Sequence, residues 1–426
     1  VCCYSDQQGN VMEKLYQDAY TLINRSTAAN LPQEAVQTAL NNHVFRGNLY
    51  LLAIGKAAWT MAQAAYEALG HRVKAGLVIT KYGHAEKAIP GLEIVEAGHP
   101  LSDENTILGT AKAIKIAQGL GKDDELLFLI SGGGSGLFEK PLEGIMLSDI
   151  VDVNNQLLSS GADIVEINMI RKRLSAVKAG RFAQLCAPAQ VFTVVLSDVL
   201  GDRLDSIASG PAAPDFSTAE DALEVVRKYN LNLNDRMLRY LAQETPKSLS
   251  NVETVITGSV RTLCQSAAET AQSLGYSPYI LCSDMNCEAR DAGRLIAAMA
   301  RQIGQGPLSI APRCALIFGG ETVVHLKGRG KGGRNQELAL AAAEGIAGLG
   351  GLIIFSVGSD GTDGPTDAAG GIVDGQTLHR LKEQALNVSD ILDNNDAYHG
   401  LDAVKGLIKT GPTGTNVNDL TVVLHR

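Results

Sequence analysis

The chain has 426 residues, of which 45% are hydrophobic and 19% charged, and its formal charge is −9. That length suits two or three domains, and the hydrophobic share excludes a disordered chain. Acidic overall and without a basic block, it is a poor partner for nucleic acid or an anionic membrane, so an anionic ligand would need a local site.

Glycine is abundant, at 45 residues, which suits many tight strand-to-helix turns. The seven cysteines (Cys2, Cys3, Cys186, Cys264, Cys282, Cys287, Cys314) form no CxxC pair and no zinc-like cluster, and read as reduced thiols. No apolar run approaches the roughly 18 residues of a membrane span. The absence of a targeting segment predicts a cytoplasmic protein.

In chain order, short runs rich in Val, Ile and Leu predict strands over 49–54, 76–80, 93–96, 126–131 and 191–196. Unbroken apolar runs are what strands buried on both faces look like. A helix over 56–69 places Ala57, Met61, Ala64, Ala65 and Ala68 on one face. Another begins near Ser102 and Asp103, good N-cap residues, and turns Ile107, Ala111, Ile114 and Ala117 inward. Alternation of this kind predicts an α/β fold with a doubly wound, mainly parallel sheet. The polar stretch 243–251 marks a boundary, giving an N-terminal Rossmann-like domain, 1–245, and a C-terminal α/β domain, 252–426. Strands over 252–258, 279–282, 315–318 and 352–357 and helices over 260–274 and 288–302 follow. Short apolar segments at 323–326 and 420–424 predict that this smaller sheet is mixed.

Ligands of open α/β sheets bind outside the carboxyl ends of the strands, so the turns leaving strands carry the chemistry. Ser131, Gly132, Gly133, Gly134 and Ser135 follow the strand ELLFLI directly. Consecutive glycines cost backbone entropy and let N–H groups approach a phosphate. A flexible turn is the plain alternative, and a Walker A loop is absent. The loop 328–333, GRGKGG, has the GxGxxG form, but no acidic residue closes a strand about 20 positions later, as a dinucleotide ribose needs. Arg329, Lys331 and Arg334 would instead surround an anion. Asp360, Asp363 and Asp367 follow a third strand and could hold Mg²⁺ or simply form Asx turns. Asp198 ends a buried strand, where a carboxylate is solvated, paired or working. Lys56 opens the helix after the first strand, where an accompanying anion would relieve its conflict with the helix dipole. His99 reads as a structural hydrogen-bonding residue.

These segments resemble the glycerate 2-kinase family, whose C-terminal half is called MOFRL. The resemblance rests on AIGKAAWTMA, ITKYGHA, EAGHPLSDE, LISGGGSGLFEKP, IRKRLSAVKAGR, LSDVLGDRLDSIASGP, GGRNQELAL, GSDGTDGPTDAAGG and TGPTGTNVNDL, spread from about residue 50 to the C-terminus. Arg173 and Ala179 stand where relatives often have His and Gly, and Ser359 where Thr is commoner. The resemblance implies transfer from ATP, with Mg²⁺, to the 2-hydroxyl of D-glycerate, in a cleft between two Rossmann-like domains. It implies catalytic or substrate-binding roles for Lys56 and Arg334. Asp198 is the candidate to orient or deprotonate the hydroxyl, Ser131 to Ser135 to hold the nucleotide, and Asp360 with Asp363 to hold metal. The rival reading is an NAD(P)H-dependent hydroxypyruvate reductase, and a homo-oligomer is compatible with either.

Overall fold

The computed structural model describes residues 2–303, 310 and 313–426, with side chains from residue 11 onward. The side chains of Cys2 and Cys3 therefore lie outside the described residues, while Cys186, Cys264, Cys282, Cys287 and Cys314 are free thiols. Two compact units form: Pro32–Thr257, and Val1–Leu31 joined with Gly258–Arg426.

The first unit is built on strands β1 (Asn48–Ile54), β2 (Val73–Lys81), β3 (Leu92–Ala97), β4 (Asp124–Ile130), β5 (Gln190–Leu196) and β6 (Val252–Gly258). Their order is β3-β2-β1-β4-β5-β6, and the pairs from β3 through β5 are parallel. Leu52, Ile54, Leu77, Ile79, Phe128 and Ile130 are buried at its centre. Each such side chain withdrawn from water contributes about 1.5–3 kcal/mol. The helix Glu104–Gly119 starts where expected: Asp103 accepts from the N–H of Thr106 at 2.9 Å, and the Thr106 hydroxyl returns a contact to the Asp103 N–H. Its inward face differs from the prediction. Thr106, Gly109, Thr110, Ala113 and Ala117 are buried, whereas Ile107 and Ile114 lie at the flanks. The helix rides close to the sheet, for a Cβ on Gly109 would sit 3.2 Å from both Ile79 and Val95. Small residues therefore take the contact line. Helices between 147 and 241 add a second apolar cluster around Leu157, Ile170, Leu174 and Leu241.

The second unit holds β7 (Ser277–Met285), β8 (Cys314–Gly320), β9 (Leu352–Gly358), β10 (Gly370–Asp374), β11 (Leu407–Ile408) and β12 (Asp419–His425). The order is β11-β10-β9-β12-β8-β7. β12 runs antiparallel between β8 and β9, so the sheet is mixed, as expected. The segment 323–326 makes only an isolated bridge, and β10 escaped prediction.

The units do not divide as two consecutive segments. β6 completes the first sheet, and the polar stretch before it is a connector inside that unit. Its Asn251 is buried, donating to the carbonyls of Ala183 and Ala189. The first 31 residues join the other unit: Asp18 accepts from the Tyr276 hydroxyl at 2.8 Å, and Tyr16 donates to Asp374 at 2.9 Å. No helix among the described residues is long and apolar enough to cross a membrane.

Candidate active site

In the first sheet the strand order reverses between β1 and β4, and the crevice outside their carboxyl ends is where such sheets bind ligands. The two turns leaving these strands are stitched together. Lys56 donates its N–H to the Gly132 carbonyl at 2.8 Å, and Ser131 donates its N–H to Ile54 at 3.0 Å. The Ser131 hydroxyl is buried and accepts from the Ala57 N–H at 3.0 Å. Ser131 thus joins the turns instead of facing a ligand.

The next residues are different. Among the described residues, no backbone carbonyl accepts from the N–H groups of Gly132, Gly133, Gly134 or Ser135. Gly133 has φ +83°, and a Cβ there would lie 2.9 Å from His99 Nε2 and 3.1 Å from Lys56 Cγ. Conformation and crowding both demand glycine. A Cβ on Gly132 would overlap the carboxylate of Asp198, which stands two residues beyond β5. Lys56, His99, Asp198 and the glycine loop are therefore neighbours. Lys56 and Lys81, at the end of β2, enter no ion pair among the described residues. His99 makes no hydrogen bond among them either, contrary to the structural reading of it. Burial, with Lys56, Lys81 and His84 around it, lowers its pKa below the usual value.

Under the loop lies a buried ionic layer that sequence reasoning did not single out. Lys178 and Glu139 pair at 2.9 Å, both wholly buried, and the Lys178 ammonium also donates to the Ser135 carbonyl at 2.6 Å. Burial lowers the Lys178 pKa to about 8, against the pull of Glu139. Lys172 pairs with Asp205 at 3.0 Å, and Arg173 donates to the carbonyls of Gln243 and Ser217. Lysine between apolar residues in SAVKAG was the available signal. Ala179, where relatives often carry Gly, has φ +55°, a conformation that costs an alanine about 1–2 kcal/mol.

In the other unit, the N–H groups of the first four residues of GRGKGG, 328–331, are already claimed, that of Gly330 by the Asn394 carbonyl. Those of Lys327 and Gly328 go to Asn395, that of Arg329 to Asn394, and that of Lys331 to Asp396. A Cβ on Gly328 or Gly330 would collide with 394–396. These glycines permit close backbone approach, and the loop starts eight residues beyond β8, so it is not a dinucleotide turn.

Arg334 opens the helix Arg334–Gly345. Its guanidinium holds Asp419 through two nitrogens, at 2.5 and 3.0 Å, and Glu321 at 2.9 Å. The three loop carboxylates diverge. Asp363 is buried and accepts from the N–H groups of Asn335 and Gln336 at 3.1 and 2.9 Å. Burial raises its pKa to about 6. Asp360 accepts from the Thr362 N–H at 2.9 Å, and Asp367 takes Tyr398 and Lys409, which hold its pKa near 2. No cluster of three His, Cys, Asp or Glu among the described residues could hold a metal. Asp360 and Asp363 do not fit as a Mg²⁺ pair, because one caps a helix and the other a turn.

Residues 18–242 match the family described as a domain of unknown function, DUF4147, and residues 314–419 match the MOFRL family. The D-glycerate 2-kinase of Thermotoga maritima is 51% identical over 97% of this chain and 99% of its own length. The glycerate 2-kinase of Pyrococcus horikoshii is 42% identical, covering 89% of this chain and 88% of its own. The crystal structure of glycerate kinase from Thermotoga maritima superposes with a TM-score of 0.93 at 50% identity, over 97% of this chain and all of that one. With matches of this length and identity, the chain belongs to the glycerate 2-kinase family, in which a DUF4147 segment precedes a MOFRL segment.

Proposed function

We propose that the chain is a kinase that transfers the γ-phosphoryl group of ATP to the 2-hydroxyl of D-glycerate, giving 2-phosphoglycerate. The observation that carries this reading is the run of four N–H groups, Gly132 to Ser135, from which no backbone carbonyl among the described residues accepts, beside the Lys56 side chain, which enters no ion pair among those residues. Phosphoryl transfer is mostly positioning and neutralisation of charge, and this loop offers both at the reversal of the strand order. Backbone donors cradle the phosphates, and Lys56 and Lys81 supply positive charge. Asp198, against Gly132, orients the acceptor hydroxyl.

Within the second unit, Arg334 is the candidate contact for a substrate anion. A guanidinium has five N–H donors, and three meet Asp419 and Glu321, so two remain for a substrate anion. About a third of its side chain stays exposed, at 34%. The two carboxylates hold it in one orientation, which lowers the entropy lost when an anion binds. Mg²⁺ supplies further neutralisation when it arrives with the nucleotide phosphates, and Asp360 and Asp363 are not its ligands in this reading.

The purified protein, given ATP and D-glycerate in an ADP-coupled assay, should form ADP only when both are present. It should not oxidise NADH when given hydroxypyruvate. Hydroxypyruvate-dependent NADH oxidation without glycerate-dependent ADP would replace the kinase reading by the reductase one.

A further inference from the structure

His99 follows β3 by two residues, and its ring edge lies along the glycine loop. Besides its approach to Gly133, its Cδ2 would stand 3.7 Å from a Cβ on Gly136. It therefore shares one corner with Lys56, from the turn after β1, and with the loop after β4. Lys56, Lys81 and His84 are basic groups that act on it, and the Asp198 carboxylate stands against Gly132 of the same loop. Four other histidines are placed differently: His43, His325, His379 and His399 each lie against a carboxylate. The surroundings of His99, burial first, favour the neutral ring. A neutral imidazole with neither nitrogen hydrogen-bonded among the described residues is a proton acceptor in waiting.

Resting on the kinase reading above, we propose that His99 is the catalytic base that removes the proton from the acceptor 2-hydroxyl. The hydroxyl oxygen forms a bond to the γ-phosphorus while the bond from that phosphorus to the β,γ-bridging oxygen breaks. The bridging electron pair leaves on ADP, and the hydroxyl proton passes to a ring nitrogen of His99 and then to water. Burial together with the nearby lysines keeps the ring neutral in the free protein, and the same lysines bind the anions. Arrival of ATP and glycerate offsets their positive field, so the imidazole becomes a stronger base when both substrates are present.

The test is kcat against pH at saturating ATP and glycerate for the wild-type protein, His99→Asn, His99→Gln and Asp198→Asn. Melting temperature and ATP affinity by calorimetry are measured alongside. Both His99 variants should lose roughly 100-fold or more in kcat, lose the acid limb of the wild-type profile, and bind ATP within about twofold of wild type. If either folded His99 variant keeps wild-type turnover or keeps the acid limb, His99 is not the base. Loss of that limb in Asp198→Asn alone would assign the proton to Asp198. A wild-type protein that forms no ADP with glycerate would overturn the kinase reading and this inference together, an outcome distinct from an active enzyme indifferent to His99.

Discussion

Arg334 holds its carboxylates as firmly as it could hold a substrate, and this changes what its substitution should do. Asp419 is almost wholly buried, where desolvation raises its pKa and the Arg334 guanidinium opposes the rise. Removing one partner of a buried pair leaves an uncompensated charge, at about 3–5 kcal/mol. Arg334→Ala should therefore lower the melting temperature clearly as well as abolish turnover. Arg334→Lys keeps the charge without the planar fork, so it should lose a smaller part of the stability and still lose turnover by orders of magnitude. Thermal melts combined with activity per folded molecule measure both. A lysine variant with wild-type turnover would confine Arg334 to a structural role. Residues of this kind were only partly legible in the sequence. A cation beside a glycine run suggests an anion site, but whether backbone donors are free depends on remote chain. Asn394, Asn395 and Asp396 occupy one glycine loop, and nothing local to GRGKGG announces them.

The helix Arg334–Gly345 depends on a cap from outside its own sequence. Gly333 precedes it, and a Cβ there would overlap Asp363, which reaches in from the loop after β9 to satisfy two of the N–H groups that a helix start leaves open. The cluster of three carboxylates looked like a metal site because Asp serves both duties, and only their divergent partners separate the two. Burial makes this cap depend on pH. The folded protein holds the Asp363 proton up to about pH 6, whereas the unfolded chain releases it near 3.8. Between those values the folded state carries more protons, so stability falls as pH rises through the window, by on the order of 2–3 kcal/mol. Asp363→Asn cannot ionise, and it should flatten this part of the curve while weakening the helix start. Urea unfolding from pH 4 to 7 checks it: parallel curves for the two proteins would mean that Asp363 titrates as an ordinary carboxylate.

At the scale of the whole molecule, the strands of the parallel sheet were plain in the sequence because burial on both faces writes continuous apolar runs. Their order, and the ownership of the terminal segments, were not, since both are set by pairing between residues far apart in the chain. The first 31 residues fall within the N-terminal domain expected over 1–245, yet their partners lie beyond residue 258. Asn30 is the clearest case. It is buried, accepts from the Thr262 hydroxyl at 2.6 Å through its side chain, and accepts from the Thr415 hydroxyl at 2.7 Å through its carbonyl. Leu15, Ala19, Leu22 and Ile23, on the preceding helix Cys2–Ala28, are buried as well. A fragment of residues 32–257 contains a whole six-stranded sheet with its own core, so it should unfold as one cooperative transition. A fragment of residues 258–426 would expose the surface that this helix covers and leave Thr262 and Tyr276 without Asn30 and Asp18. It should be much less stable than the same unit in the full chain, and a peptide of residues 1–31 added in trans should raise its melting temperature in proportion to the logarithm of peptide concentration once binding is saturated. Circular dichroism melts of the fragment with and without the peptide decide the matter: an isolated 258–426 fragment as stable as in the intact chain would show that the first helix contributes nothing to this unit.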